Sequence, residues 1–171
     1  MSISEIHHVA LTVADLERSV AFYCDALGFR KVLDMKADSP ANARLLRLPA
    51  KGFNLRSIMM VQGASIVGQV ELMQVEPMAD KQTPPKRFND LGICLLSFEV
   101  KGEPLAEVVK RLRDLGVTFF SDMEEIDIAG YAPMKAVIFE DPDGNLLELV
   151  QLPSKEQYLR IKQEREARNA N

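Results

Sequence analysis

Two stretches of this chain resemble each other closely enough to fix most of what it can fold into. The first, IHHVALTVADLERSVAFYCDALGFRKV at 6–32, reads as a strand, an aspartate-capped helix and a second strand. A looser copy begins near residue 92, and each copy closes on a nearly identical strand, VELMQV at 70–75 and LELVQL at 147–152. In HVALTV, Val9, Leu11 and Val13 alternate with His8, Ala10 and Thr12, so one face is apolar and the other is not. Asp15 is a suitable N-cap. Leu16, Val20, Tyr23, Cys24 and Leu27 follow at one helical stripe, and Gly28 stands where a left-handed C-cap is expected. The apolar strand face must meet that helix, which leaves His8 on the opposite side.

The copy repeats these devices in order. Leu96, Phe98 and Val100 alternate with Leu95, Ser97 and Glu99. A helix over about 103–115 carries Leu105, Val108, Val109, Leu112 and Leu115, and Gly116 closes it. Strands near 117–121 and 134–140 lead through Asp141-Pro142-Asp143-Gly144 into the closing strand. Between the first helix and residue 76 the pattern predicts strands at 29–36, at 43–62 with breaks, and at 67–75. Laying His8 over Leu95 places Val9 over Leu96, Leu11 over Phe98 and Glu71 over Glu148. Agreement in strand, helix, cap and closing strand indicates a duplicated βαβββ unit.

The expected fold is therefore α+β: two tandem βαβββ modules whose sheets curve around a central cleft, with a C-terminal helical tail. Residues 1–76 form the first module, 77–90 a polar, proline-containing linker, 91–152 the second module and 153–171 the tail. That tail opens with capping-box spacing from Ser154 to Gln157 and becomes a charged helix, solvated or laid on a partner subunit. His8, Glu71 and Glu148 then converge on the cleft, with Ala10, Met73, Leu95 and Ser97 lining it. An imidazole and two carboxylates are expensive to bury unpaired, and a divalent cation satisfies all three.

HHVALTVADLERSVAFYCDALGF and FEDPDGNLLELVQ resemble the opening and closing motifs of the vicinal oxygen chelate superfamily. Its members include glyoxalase I, methylmalonyl-CoA epimerase, extradiol dioxygenases, and the fosfomycin and bleomycin resistance proteins. The resemblance covers 6–152. It implies His8 as first metal ligand, Glu71 as second and Glu148 as fourth. The third, usually a histidine, falls at Leu95 in LLSF, and leucine cannot ligate; Cys94 is one residue out of register. Extradiol dioxygenases need two histidines and a carboxylate. The chain has only His7 and His8, and strand neighbours are expected to point to opposite faces, so that activity is disfavoured, as is a fosfomycin-type thiol transferase.

The remaining His-Glu-Glu set with waters suits Mn, Mg, Ni, Co or Fe(II) better than a closed zinc site. By resemblance to glyoxalase I and the epimerases, the chain is expected to be a metal-dependent lyase or isomerase. Its substrate would be a small α-oxygenated carbonyl compound reacting through an enediolate, with Glu148 as ligand and base and Glu71 as its counterpart. The competing reading, favoured by Leu95, is a metal-free protein of the bleomycin-resistance type that binds an apolar small molecule. Homodimerisation is implied by the same resemblance.

Composition narrows the partners. A net charge of −4 argues against nucleic acid, which demands concentrated Lys and Arg. No apolar run approaches the roughly 18–20 residues that span a bilayer, and the polar start lacks a basic-then-apolar leader. Cys24 and Cys94, without a CxxC, read as reduced thiols in a cytoplasmic setting, each a small buried apolar residue. Arg44, Arg47, Lys51 and Arg56 form a basic group best explained by solvation. Met59, Met60 and Met73 lie on strands that reach the cleft, although only one of the adjacent pair can point into it.

Overall fold

Alternation in HVALT becomes β1, His8–Thr12, with Val9 and Leu11 more covered than their neighbours. In the computed structural model, which describes residues 5–49, 51–65, 67–78, 92–120, 122–126 and 133–169, the chain divides into two compact units, Met1–Pro84 and Pro85–Asn171. The expected linker, 77–90, lies outside the described residues from 79 onward.

The first unit continues with α1, Leu16–Ala21. Its N-cap Asp15 accepts from the Arg18 N–H at 3.0 Å. The helix runs on as a π-helical turn, Phe22–Ala26, before Gly28 turns the chain at φ 74°. From Leu16 to Gly28 there is one residue more than from Leu105 to Gly116, and a π-turn is how a helix absorbs one extra residue. Tyr23 in that turn is fully buried and meets the Phe29 ring edge-on. Strands β2 (Arg30–Lys36), β3 (Asn54–Val61) and β4 (Gln69–Glu76) complete a sheet of order β1-β4-β3-β2. Strands β1 and β4 are parallel, and the remaining pairs are antiparallel.

One element differs from expectation. Where the strand over 43–62 should begin, the chain forms α2, Pro40–Leu46. Ser39 caps it by accepting from the Asn42 N–H, and Pro40 occupies the first turn, where its missing N–H is harmless. The strand begins only at Asn54.

The second unit repeats the plan. It comprises β5 (Leu96–Glu99), α3 (Leu105–Asp114), β6 (Glu124–Ile126), β7 (Met134–Glu140) and β8 (Leu146–Gln151), in sheet order β5-β8-β7-β6. The strand expected near 117–121 is reduced to one bridge, Phe119 to Phe139. The Phe119 ring lies against Phe139 and under the Arg113 guanidinium, so Phe119 works as packing rather than as strand. At the Asp141 turn, the carboxylate accepts from the N–H groups of Asp143 and Asn145 and from the Asn145 amide, all at 2.9 Å. Helix α4, Lys155–Asn169, starts with the expected reciprocal capping box. The Ser154 N–H donates to Gln157 Oε1, and the Gln157 N–H donates to Ser154 Oγ.

In each unit one sheet face is covered by the helix. Val13, Ile58, Met60, Val70 and Leu72 are buried in the first, and Leu105, Leu112, Val137, Leu147 and Leu149 in the second. Burying one such side chain contributes roughly 1.5–3 kcal/mol. On the face away from the helix lie His8, Ser57 and Glu71 in the first unit and Glu148 in the second.

Candidate functional site

Register places the polar residues of the first unit together. Along β1 and β4, His8 stands opposite Gln69, Ala10 opposite Glu71 and Thr12 opposite Met73. Along β3 and β4, Met59 stands opposite Glu71 and Ser57 opposite Met73. Paired residues share a face, so His8, Ala10, Ser57, Met59, Glu71 and Met73 all lie on the side away from α1. Met60, opposite Val70, lies on the helix side and is fully buried. Of the adjacent methionines, Met59 is therefore the one beside Glu71.

His8 Nε2 lies 3.4 Å from Glu71 Oε2. The other carboxylate oxygen, Oε1, accepts from the Ser57 hydroxyl. The Glu71 side chain is only 12% exposed, against 40% for His8. A carboxylate this covered needs compensation on both oxygens. Here one oxygen has a hydroxyl that is itself fully buried, and the other has an imidazole open to whatever approaches.

Ser57 was not among the residues expected at the site. Its one signal is a lone hydroxyl in the apolar run of NLRSIMMV, and only the β3–β4 register brings it diagonally beside Glu71.

His7 requires a correction. The two histidines were expected to point apart, but the His7 and His8 Nδ1 atoms are 2.9 Å apart and the rings meet edge to face. His7 precedes β1, so strand alternation does not govern its side chain. The pair still cannot join Glu71 around one ion as a dioxygenase triad would. His7 approaches His8 at Nδ1 and Glu71 approaches it at Nε2, and one imidazole cannot turn both nitrogens to the same metal.

Two ligands in neighbouring positions around an ion, at bonds of about 2.1 Å, lie roughly 3.0–3.4 Å apart. The His8–Glu71 separation falls at that span, and one nitrogen with one carboxylate oxygen suits an ion that takes its other ligands from water or substrate. Among the described residues of either unit, no three His, Cys, Asp or Glu side chains gather as a closed metal site.

In the second unit, Glu148 occupies the place of Glu71. It stands opposite Ser97 on β5 and Ile138 on β7, as Glu71 stands opposite Ala10 and Met59. Ala136 takes the position of Ser57, and Leu95, just before β5, that of His8. Glu148 is half-buried and, among the described residues of its unit, has no hydrogen-bond or ion-pair partner.

The basic group does not converge here. Arg56 lies on the helix side and donates twice to Asp34, at 2.9 and 2.7 Å, and once to Glu17 at 2.6 Å. Its guanidinium holds the Asp34 carboxyl below the usual carboxylate range. Arg44, Arg47 and Lys51 are exposed. Cys24 and Cys94 are free and half-buried, and burial pushes the Cys24 thiol up, away from the thiolate form.

Residues 5–149 match the family model described as the Glyoxalase/Bleomycin resistance protein/Dioxygenase superfamily. A virulence protein of Salmonella typhimurium, STM3117, is 26% identical over 152 residues, which is 88% of this chain and 86% of that protein. A 2-epi-5-epi-valiolone epimerase of an Actinomyces species is 27% identical over 149 residues, covering 87% of this chain and 80% of the epimerase. The crystal structure of a glyoxalase family protein from Bacillus cereus superposes with a TM-score of 0.71 at 19% identity, covering 89% of this chain and 96% of that one. No helix among the described residues is long and apolar enough to cross a membrane.

Proposed function

This chain belongs to the glyoxalase/bleomycin resistance protein/dioxygenase superfamily, and we propose that it is a metal-dependent isomerase or lyase within it. Its substrate class is a small carbonyl compound bearing oxygen on the neighbouring carbon. The pairing of His8 with Glu71, 3.4 Å apart on adjacent strands, carries this reading. A bound divalent ion supplies Lewis-acid stabilisation for negative charge developing on neighbouring substrate oxygens. His8 Nε2 and Glu71 Oε2 would hold that ion, and Ser57 fixes the carboxylate so that it presents one oxygen only.

The two glutamates hold equivalent places in their units but differ in surroundings. Glu71 is tethered and suits a ligand. Glu148, without a tether inside its unit, is the candidate base that removes and returns the proton next to the carbonyl. The relative named as an epimerase favours isomerisation over elimination.

The test is elemental analysis of the untagged protein beside His8→Ala, together with NMR of solvent deuterium entering the carbon next to the carbonyl of 2-hydroxyketones and hemithioacetals. About one equivalent of Mn, Ni, Co, Fe or Zn, lost in His8→Ala, with exchange lost in Glu148→Gln, supports the activity. Protein that takes up no metal, from culture or when metal is added, overturns it.

A second reading has its own support. Leu95 replaces the histidine equivalent of His8, and Met59 lies directly opposite Glu71. A metal-free pocket for an apolar ligand predicts that an apolar dye binds wild type and His8→Ala alike.

A further inference from the structure

His7 has no part in the ligand set, yet its ring is held against His8. Its backbone carbonyl accepts from the Gln69 N–H at 3.0 Å, and the Gly68 N–H donates to the Ile6 carbonyl beside it at 2.8 Å. The backbone at His7 is therefore pinned to the start of β4 although the residue precedes β1. From that fixed point, Nδ1 reaches His8 Nδ1 at 2.9 Å, while Nε2 lies 3.5 Å from the Gln69 amide nitrogen. A nitrogen–nitrogen contact this short is a hydrogen bond only when one Nδ1 carries the hydrogen and the other offers its lone pair. The polar chain then runs Gln69, His7, His8, Glu71, Ser57.

We propose that His7 is the positioning residue for His8: through the Nδ1–Nδ1 hydrogen bond it aims His8 Nε2 at Glu71 and determines which His8 nitrogen bears the hydrogen. Two arrangements satisfy the chain. In one, His7 Nδ1–H donates to His8 Nδ1, and His8 Nε2–H faces the Glu71 carboxylate. In the other, His8 Nδ1–H donates to His7 Nδ1, His8 Nε2 presents a lone pair, and His7 Nε2–H is met once the Gln69 amide turns its oxygen towards it. They differ by moving one hydrogen between the nitrogens of each ring, with no proton gained or lost by the pair. The first suits the empty pair of residues, and the second suits a metal ligand, whose other ring nitrogen ordinarily donates to a neighbouring acceptor.

The use made of the second arrangement rests on the metal-dependent reading above; the aiming of the ring does not. The test separates them with full-length protein carrying 15N-labelled histidine, as wild type, His7→Phe and His7→Asn. Without metal, the wild-type His8 ring should show one defined tautomer, which His7→Phe should replace with averaged nitrogen shifts. His7→Asn, whose amide can meet Nδ1, should restore it. Zn2+, titrated as a diamagnetic probe, should bind His7→Phe about 10- to 100-fold more weakly than wild type, while the Tm stays unchanged. An unchanged His8 tautomer in His7→Phe overturns the proposal. If no variant binds Zn2+ but His7→Phe still averages the His8 shifts, His7 positions His8 and it is the metal reading that fails.

Discussion

Gln74 and Gln151 do the same thing in the two copies: each side-chain carbonyl accepts the first backbone N–H of its unit's helix, from Leu16 at 3.0 Å and from Leu105 at 3.1 Å. A helix leaves its leading N–H groups without internal partners, and here the closing strand supplies one of them across the sheet–helix boundary. Gln151 also donates to the Glu103 carbonyl at 2.9 Å. These contacts explain the Gln shared by VELMQV and LELVQL, and they fix which sheet face the helix covers.

Replacing Gln74 or Gln151 by alanine should therefore destabilise the protein by about 0.5–2 kcal/mol each. That corresponds to a Tm lower by roughly 2–4 °C per kcal/mol, read by calorimetry. Each change also removes a second contact, from Gln74 to the Glu76 carboxylate at 3.2 Å and from Gln151 to the Glu103 carbonyl at 2.9 Å, so the two losses should be similar.

Ser57→Ala removes the hydroxyl that compensates Glu71 Oε1. A buried acceptor that loses its donor costs about 1–3 kcal/mol, visible as a lower urea midpoint with unchanged slope. Under the metal-dependent reading, Zn2+ affinity should also drop, on the order of tenfold. A variant as stable as wild type shows that the hydroxyl does not sustain the carboxylate.

Leu95→His places an imidazole beside Glu148 in the register that His8 has beside Glu71. Metal affinity by calorimetric titration should rise, on the order of tenfold. Binding of an apolar dye should weaken if Leu95 lines an apolar pocket.

Asp34 is held below its ordinary value by Arg56, first through the hydrogen bonds and then through charge. A carboxyl whose folded value is depressed contributes stability that is fully present above its unfolded value, about 3.9, and lost as pH falls through the folded value. The Tm difference between wild type and Asp34→Asn should hold steady from pH 7 to about 5 and shrink below about 4. Because the pair is exposed, added salt should shrink it too.

Alternation and the internal repeat made most of the framework legible. The faces of Val9, Leu11, Val70 and Leu72, the caps at Asp15, Gly28 and Gly116, and the equivalence of Glu71 with Glu148 all follow from period and order. Other features needed pairing partners that no single strand encodes. Ser57 is unremarkable until β3 is set against β4. The direction of the His7 ring depends on its position one residue before the strand, where alternation no longer applies. Helix α2 did have a local signal, Ser39 followed by Pro40, but those same residue types also mark turns. The π-turn was hidden because one extra residue in a helix leaves the apolar stripe almost intact.

The split between the face that each helix covers and the face away from it also divides what the two halves of this chain share from what they do not. On the covered side Gln74 matches Gln151, and Leu72 matches Leu149. On the face away from the helix, Ser57 stands where the second unit has Ala136 and His8 where it has Leu95, while the strands keep the same register. A backbone copied in this way can lose or acquire a reactive group in one half while the other half retains its own.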